Sequence, residues 1–530
     1  MLTGIDADTT IPGACRLAAQ ADPDATFLIA DGRRYSYGYV EDEAARVAAG
    51  LRERGIETGD RVALAATNRL EWIVSWLAIT RLGAIVVTLN VAYREREFVH
   101  MLTQSGAKIL LCLERDAGFE FRPFIESIRP RIQAVLNVLF IGDAPREAGD
   151  PAGAPDDWAT LRASAPLPEI AAESEQPAMI LYTSGTTGLP KGAVLTHRSL
   201  LSSARAQAEH VDFSSADVAL GQMPLTHVGG TTCTVLTAMI CGGQVALIPK
   251  FSPTVAVDAI SELGLTVLIG VPTMYALTMT HPRFAEIDTS QVRVCIIGGS
   301  NVEPALGKRV IAAFGNARLA NIYGLSETSG GCIMSARGEE LEALTTTLGV
   351  PIRDFEVRID PSGDGTAAEP GVDGELLVRG GCVAAGYWQN PEATASTFPS
   401  DGWLRTGDMA LVRDDGRVVL RGRKKEMYVR GGYNVYPAEI ENVIAQDPSV
   451  AGCAVVGVPD RLHGEVGVAF VVPSGPGGVT PEAILARCRE QLAAYKLPSR
   501  VEIVEELPLT PSGKVRKPDL QQLAMTRSGS

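Results

Sequence analysis

Tyr182-Thr183-Ser184-Gly185-Thr186-Thr187-Gly188-Leu189-Pro190-Lys191-Gly192 gathers hydroxyls, glycines and one lysine into a single stretch. Glycines leave backbone N–H groups open to an anion, Thr183, Ser184, Thr186 and Thr187 add hydroxyl donors, and Lys191 supplies a point charge on a flexible stem. The preceding Pro177-Ala178-Met179-Ile180-Leu181 reads as a short buried strand feeding this loop. The Walker pattern needs four residues between its first glycine and a Gly-Lys pair; here two separate Gly185 from Gly188, and Lys191 follows proline. Kinase and GTPase readings therefore lose their support, and phosphate binding of another type leads. The plain alternative is a solvated Ser/Thr/Gly surface loop.

Working outward, apolar β-rich runs alternate with helical patterns, as at 61–66 before 71–82 and 292–298 before 303–314. That alternation predicts an α/β fold with parallel strands, in which ligands bind at strand carboxyl ends. Gly298-Gly299-Ser300-Asn301 stands at one such end and is a second candidate ligand edge. Residues 143–176, rich in Ala, Pro, Asp and Glu, read as a solvated surface connection ahead of the loop.

The chain has 530 residues, more than one core supports, so at least two domains are expected. A hydrophobic share of 46% permits a large interior. A net charge of −14, from 48 basic and 62 acidic residues with no long basic run, makes nucleic acid an unfit partner. Nine cysteines scattered singly and six dispersed histidines indicate neither a disulfide framework nor a zinc site. Residues 1–10 carry two aspartates and no basic side chain, unlike a signal peptide. The most apolar window, 234–249, is broken by Gly242, Gly243 and Gln244 and is too short to span a bilayer. A cytoplasmic location is the resulting expectation.

From Glu426 onward the pattern reads as a compact module of its own. Pro437 opens a helix, 454–458 and 466–472 read as strands, Thr480-Pro481-Glu482 starts another helix, and 526–530 reads as a frayed tail.

Four further segments carry chemistry: Asn321-Ile322-Tyr323-Gly324-Leu325-Ser326-Glu327-Thr328, Trp403-Leu404-Arg405-Thr406-Gly407-Asp408, Arg421-Gly422-Arg423-Lys424-Lys425-Glu426, and the Pro/Gly-framed Leu507-Pro508-Leu509-Thr510-Pro511-Ser512-Gly513-Lys514-Val515-Arg516-Lys517. Alone, each is more often a turn, a solvated cationic face or nothing. In this order and spacing they resemble the adenylate-forming superfamily of acyl-CoA synthetases, firefly-type luciferases and peptide-synthetase adenylation domains. The resemblance runs from about Arg34 to Lys517, and Arg430-Gly431-Gly432-Tyr433-Asn434-Val435-Tyr436-Pro437-Ala438-Glu439-Ile440-Glu441 looks most like the acyl-CoA ligase branch.

The resemblance implies a large multi-sheet N-terminal domain over 1–423, a hinge at 424–425 and a small mobile α+β domain over 426–530. It also implies an ATP- and Mg²⁺-dependent acid:CoA ligase, with a hydrophobic fatty or aromatic acid and CoA as co-substrates. Thr183, Ser184, Gly185, Thr186, Thr187, Gly188 and Lys191 would hold the β- and γ-phosphates. Glu327 would hold Mg²⁺ and is counted with Ser326 and Lys514 as catalytic. Tyr323 would stack on adenine against Gly298, Gly299 and Ser300, with Asn321 reading its amino group and Gly324 beside it; Asp408 and Arg423 would bind the ribose. The motif departs from the family's usual pattern, with Ser326 in place of threonine, and the hydroxyl survives. Lys514 would act in adenylation, Lys425 would be the hinge residue, and Gly431 and Gly432 would lie along pantetheine. His227, Val228, Gly229, Gly324 and Leu325 would line the acyl site; a core or capping histidine is the plain alternative for His227. A carrier-protein thiol acting in trans, a nucleotide-binding relative without activity, and a homodimer remain open.

Overall fold

The computed structural model describes the chain except residues 143–156, 164, 169, 184–189, 301, 476–477, 510–514 and 529–530. Two α/β sheets carry the N-terminal part. One has nine strands, with Val218–Gly221, Gln244–Leu247, Val267–Gly270, Val294–Gly298 and Arg318–Leu325 in its parallel centre. The other has six, with Arg61–Ala65, Ile85–Thr88, Ile109–Leu113 and Pro177–Thr183 running parallel and Lys191–Thr196 folding back antiparallel on the last of them. Central strands buried on both faces read as unbroken apolar runs, which is why the alternation was visible in the sequence. Leu70–Arg81 and Pro304–Ala313 are the helices expected after two of those strands.

Between these sheets and the C-terminal module lies a four-stranded antiparallel sheet built from Glu356–Asp360, Gly374–Arg379, Leu404–Val412 and Val418–Arg423. Its last two strands carry Asp408 and Arg423 as register partners. The C-terminal module is a five-stranded sheet. Its long hairpin Val450–Asp460/Gly464–Pro473 extends beyond the two short strands expected, and packs against Pro437–Ala445, Pro481–Gln491 and Lys517–Ser528. The tail expected to fray from 526 continues instead as helix to residue 528, because Leu520 and Ala524 are buried against the hairpin.

A second correction concerns the connection over 143–176. Its described part is not wholly solvated: Trp158 and Leu161 are buried, and the Trp158 indole donates to Ser75 Oγ at 2.8 Å. All nine cysteines are free, eight of them buried. No helix among the described residues is long and apolar enough to cross a membrane.

Candidate active site

The carboxyl ends of the parallel strands converge, as doubly wound sheets require of a ligand edge. Val294–Gly298 ends on Gly298, and its neighbour Arg318–Leu325 carries Asn321, Tyr323 and Gly324 before a single 3-10 turn, Ser326–Thr328, that presents Glu327. Close backbone approach dictates two of these positions. A Cβ at Gly324 would lie 2.0 Å from the Gly330 carbonyl oxygen, and one at Gly298 would lie 2.5 Å from Ile322 Cγ2 and 2.9 Å from its backbone oxygen. Gly299, Ser300 and Gly324 are exposed at this edge.

Asn321 is buried, and its Nδ2 donates to the Thr347 carbonyl at 3.2 Å. That bond uses one amide N–H and leaves the side-chain carbonyl oxygen as an acceptor. The Tyr323 hydroxyl donates to Asp408 Oδ2 at 2.5 Å, while Arg423 Nε meets Asp408 Oδ1 at 2.7 Å. Burial, reinforced by the Asp408 charge, holds the Tyr323 phenol well above its ordinary pKa, so it remains a donor. Burial alone would lower Arg423; the adjoining Asp408 carboxylate outweighs it and raises the guanidinium.

At the loop expected to hold phosphate, Thr183 Oγ1 reaches the Lys191 carbonyl at 3.4 Å, tying the strand that enters the loop to the one that leaves it. Ser184, Gly185, Thr186, Thr187 and Gly188 lie outside the described residues, as does Lys514. Glu327 is half-buried and accepts a hydrogen bond from the Tyr387 hydroxyl at 2.6 Å. Tyr387 was not singled out from the sequence, and a lone tyrosine between Gly386 and Trp388 offers no local signal of this contact.

His227 precedes a short helix, Val228–Gly230, that continues into a π-helical turn, Thr231–Leu236. Its Nδ1 accepts the Gly229 N–H at 3.0 Å, which places the proton of the neutral ring on Nε2. The histidine is thus a cap, as the plain reading has it, and it is half-exposed. Val228 and Gly229 are buried, whereas Leu325 is half-exposed.

At the expected hinge, Lys424 Nζ meets Glu375 Oε2 at 2.9 Å and its N–H donates to the Gly407 carbonyl, fastening it to the antiparallel sheet. Across Lys425, Glu426 meets Lys517 Nζ at 2.6 Å, and Glu441 meets the same ammonium at 2.8 Å. Burial would lower Lys517; the two carboxylates outweigh it and raise its pKa. Gly431 and Gly432 form the exposed turn between Tyr428–Arg430 and Tyr433–Val435, where φ values of 57° and 86° favour glycine.

Comparison with known proteins accords with this geometry. Residues 15–388 match the family model described as AMP-binding enzyme, and residues 439–514 match that of the AMP-binding enzyme C-terminal domain. A methyl-dioxo-octahydroindenyl-propanoyl:CoA ligase of Mycobacterium tuberculosis is 36% identical over 97% of this chain and 99% of its own. A feruloyl-CoA synthase of Amycolatopsis is 34% identical over 95% of this chain and 97% of its own. Among solved structures, the anthranilate CoA ligase AuaEII in complex with anthranoyl-AMP superposes with a TM-score of 0.89, at 26% identity, over 100% of both chains. With a family model covering well over half its length and relatives matched nearly end to end, this chain belongs to the AMP-binding enzymes.

Proposed function

We propose that the chain activates a hydrophobic carboxylic acid, fatty or aromatic, as its acyl-adenylate and passes the acyl group to the thiol of CoA. The observation that carries this reading is a pair of differently treated carboxylates, Glu327 from the turn after a strand of the nine-stranded sheet and Asp408 from the four-stranded sheet. Asp408 is closed by Arg423 and Tyr323, while Glu327 is engaged at one oxygen. A ribose needs a fixed acceptor of hydroxyl protons, and a polyphosphate needs a cation held beside it. The relatives described above, all CoA ligases or synthases by name, support CoA as the acceptor.

Mg²⁺ fits this site. Glu327 offers a hard oxygen ligand, and among the described residues no group of three or more His, Cys, Asp or Glu forms an all-protein cage. An ion held by one carboxylate, waters and phosphate oxygens is the usual magnesium arrangement. When bound, it would neutralise charge on the leaving pyrophosphate.

In the first step an oxygen of the substrate carboxylate bonds to the α-phosphorus and the bond to pyrophosphate breaks. In the second, the CoA sulfur bonds to the acyl carbon, AMP leaves and the thiol proton goes to solvent. Lys191 would stabilise the departing charge, and Lys514 would bridge carboxylate and phosphates in the first step alone. Lys425 would be the pivot on which the module over 426–530 withdraws Lys514, bringing Gly431 and Gly432 alongside pantetheine. Asn321 and Tyr323 would receive adenine, and His227, Val228, Gly229, Gly324 and Leu325 the acid.

The test is to supply ATP, Mg²⁺ and a panel of carboxylic acids, with and without CoA, and to follow AMP, pyrophosphate and acyl thioester. CoA-dependent AMP and thioester formation is expected. Adenylate that accumulates with no transfer to CoA overturns the ligase reading in favour of a carrier-protein or other acceptor.

A further inference from the structure

The segment 384–388 lies outside every motif quoted above, yet it is stitched to both sides of the phosphate region. The Ala384 N–H donates to the Glu327 carbonyl at 2.9 Å. Ala385 donates to Val194, Val194 donates to Gly386, and Trp388 donates to Gly192, at 2.9, 2.9 and 2.8 Å. Ala193 and Tyr387 face one another as an antiparallel bridge. These few residues therefore pair along the free edge of the strand Lys191–Thr196, whose first residue is the phosphate-loop lysine, and fasten it to the turn that presents Glu327.

Tyr387 repeats the connection with its side chain. Its hydroxyl donates to Glu327 Oε1 at 2.6 Å, and the Lys191 ammonium stands 5.1 Å from its ring centroid. A cation at that distance is attracted by the ring quadrupole. The ring is steadied by Phe398, edge-to-face at 5.4 Å, and the Tyr387 N–H is held by Thr394 Oγ1 at 2.9 Å. One aromatic ring thus touches an ammonium and a carboxylate, groups that would neutralise each other if they met. They do not meet: no ion pair joins Lys191 to Glu327.

We propose that Tyr387 is a positioning residue that keeps Lys191 and Glu327 apart and turns both toward the polyphosphate of ATP. Its hydroxyl fixes one carboxylate oxygen and leaves the other for Mg²⁺. Its ring face gives the ammonium a resting place that costs little to leave when phosphate arrives. This rests on the reading of the site as one for ATP and Mg²⁺.

The test measures ATP binding to the full chain by calorimetry, once with Mg²⁺ and once with EDTA, without turnover. Tyr387→Phe keeps the ring under Lys191 and removes the hydroxyl, so its affinity in EDTA should equal that of the unaltered chain. The tightening that Mg²⁺ confers should shrink about tenfold, the loss of a site-to-site coupling. Tyr387→Leu removes both contacts and should also weaken binding in EDTA, since Lys191 is then drawn to Glu327. Adding Glu327→Gln to Tyr387→Leu should restore the EDTA affinity. Equal weakening by Tyr387→Phe with and without Mg²⁺, or none at all, overturns the proposal while leaving the ATP site intact. An unaltered chain whose ATP affinity ignores Mg²⁺ overturns the magnesium reading and this proposal with it. Mn²⁺ binding followed by paramagnetic resonance in the presence of ATP gives an independent readout, and the Phe variant should show the same tenfold loss.

Discussion

Asp408, in the four-stranded sheet, and Glu327, in the turn after a strand of the nine-stranded sheet, are both carboxylates that accept a tyrosine hydroxyl, at 2.5 and 2.6 Å. They differ in what else they meet. Asp408 is buried with Arg423 on its second oxygen, whereas Glu327 is half-exposed and, among the described residues, meets no cation at ion-pair distance. A charge answered from within the fold contributes to the fold, and a charge left open costs stability that a ligand must offset. On the proposed reading, the sugar side of the site is therefore built in advance, and the phosphate side is completed by what binds.

Glu327→Gln should expose this difference most strongly. Adenylation, read by pyrophosphate exchange, is expected to fall about 10²- to 10³-fold, with the melting temperature of the ligand-free chain no lower than that of the parent. A variant that melts early would mean that Glu327 is structural and would erase the contrast. Asp408→Asn should behave in the opposite sense, losing about 1–3 kcal/mol of unfolding free energy because Arg423 and Tyr323 lose their charged partner. Denaturant titration checks it, and a variant as stable as the parent would break the comparison from the other side.

Lys517 extends the rule to a cation wholly answered from within, by Glu426 and Glu441. It lies three residues beyond Lys514 in the sequence. Lys517→Met should cut adenylation about tenfold, through misplacement of the segment before it, while sparing thioester formation from supplied acyl-adenylate. Equal loss in both half-reactions would reduce Lys517 to a prop of the module.

His197 tests whether an open polar atom is enough to mark a ligand site. Its Nδ1 accepts the Ile11 N–H at 3.1 Å, its Nε2 has no partner among the described residues, and the ring is fully buried. Burial depresses its pKa to about 3 from the ordinary 6.5. The unfolded chain therefore takes up this proton first, so the contribution is complete above pH 6.5 and is lost as the pH falls toward 3. This ring alone should lower stability by roughly 0.7 kcal/mol on going from pH 7 to pH 6. His197→Gln should remove that part of the slope with no change in ATP affinity; altered affinity would mean that enclosure does not disqualify an open atom.

What the sequence disclosed follows the same physics. Strands buried on both faces, such as Val294–Gly298, announce themselves as apolar runs, and a phosphate loop announces itself because its donors are contiguous. The antiparallel sheet over 356–423 was missed: its strands mix charged and apolar residues and sit between turns, leaving no helical pattern to alternate with. Trp158 was hidden by a polar neighbourhood, since its partner Ser75 is 83 residues away. Tyr387 was hidden for the same reason, its two partners lying 60 residues or more away in sequence. Contacts made only by the folded chain have no local signature.

Lys424 is held by Glu375 and Glu426 by Lys517, so the proposed hinge residue Lys425 lies between two anchored neighbours. If the module swings as proposed, its whole travel passes through the two backbone torsions of that residue. The stops of the swing are then set by which regions of torsion space a lysine can occupy, before any surface is touched. Two resting orientations would be the natural outcome, as with a latch that clicks, and a proline at 425 would leave only one.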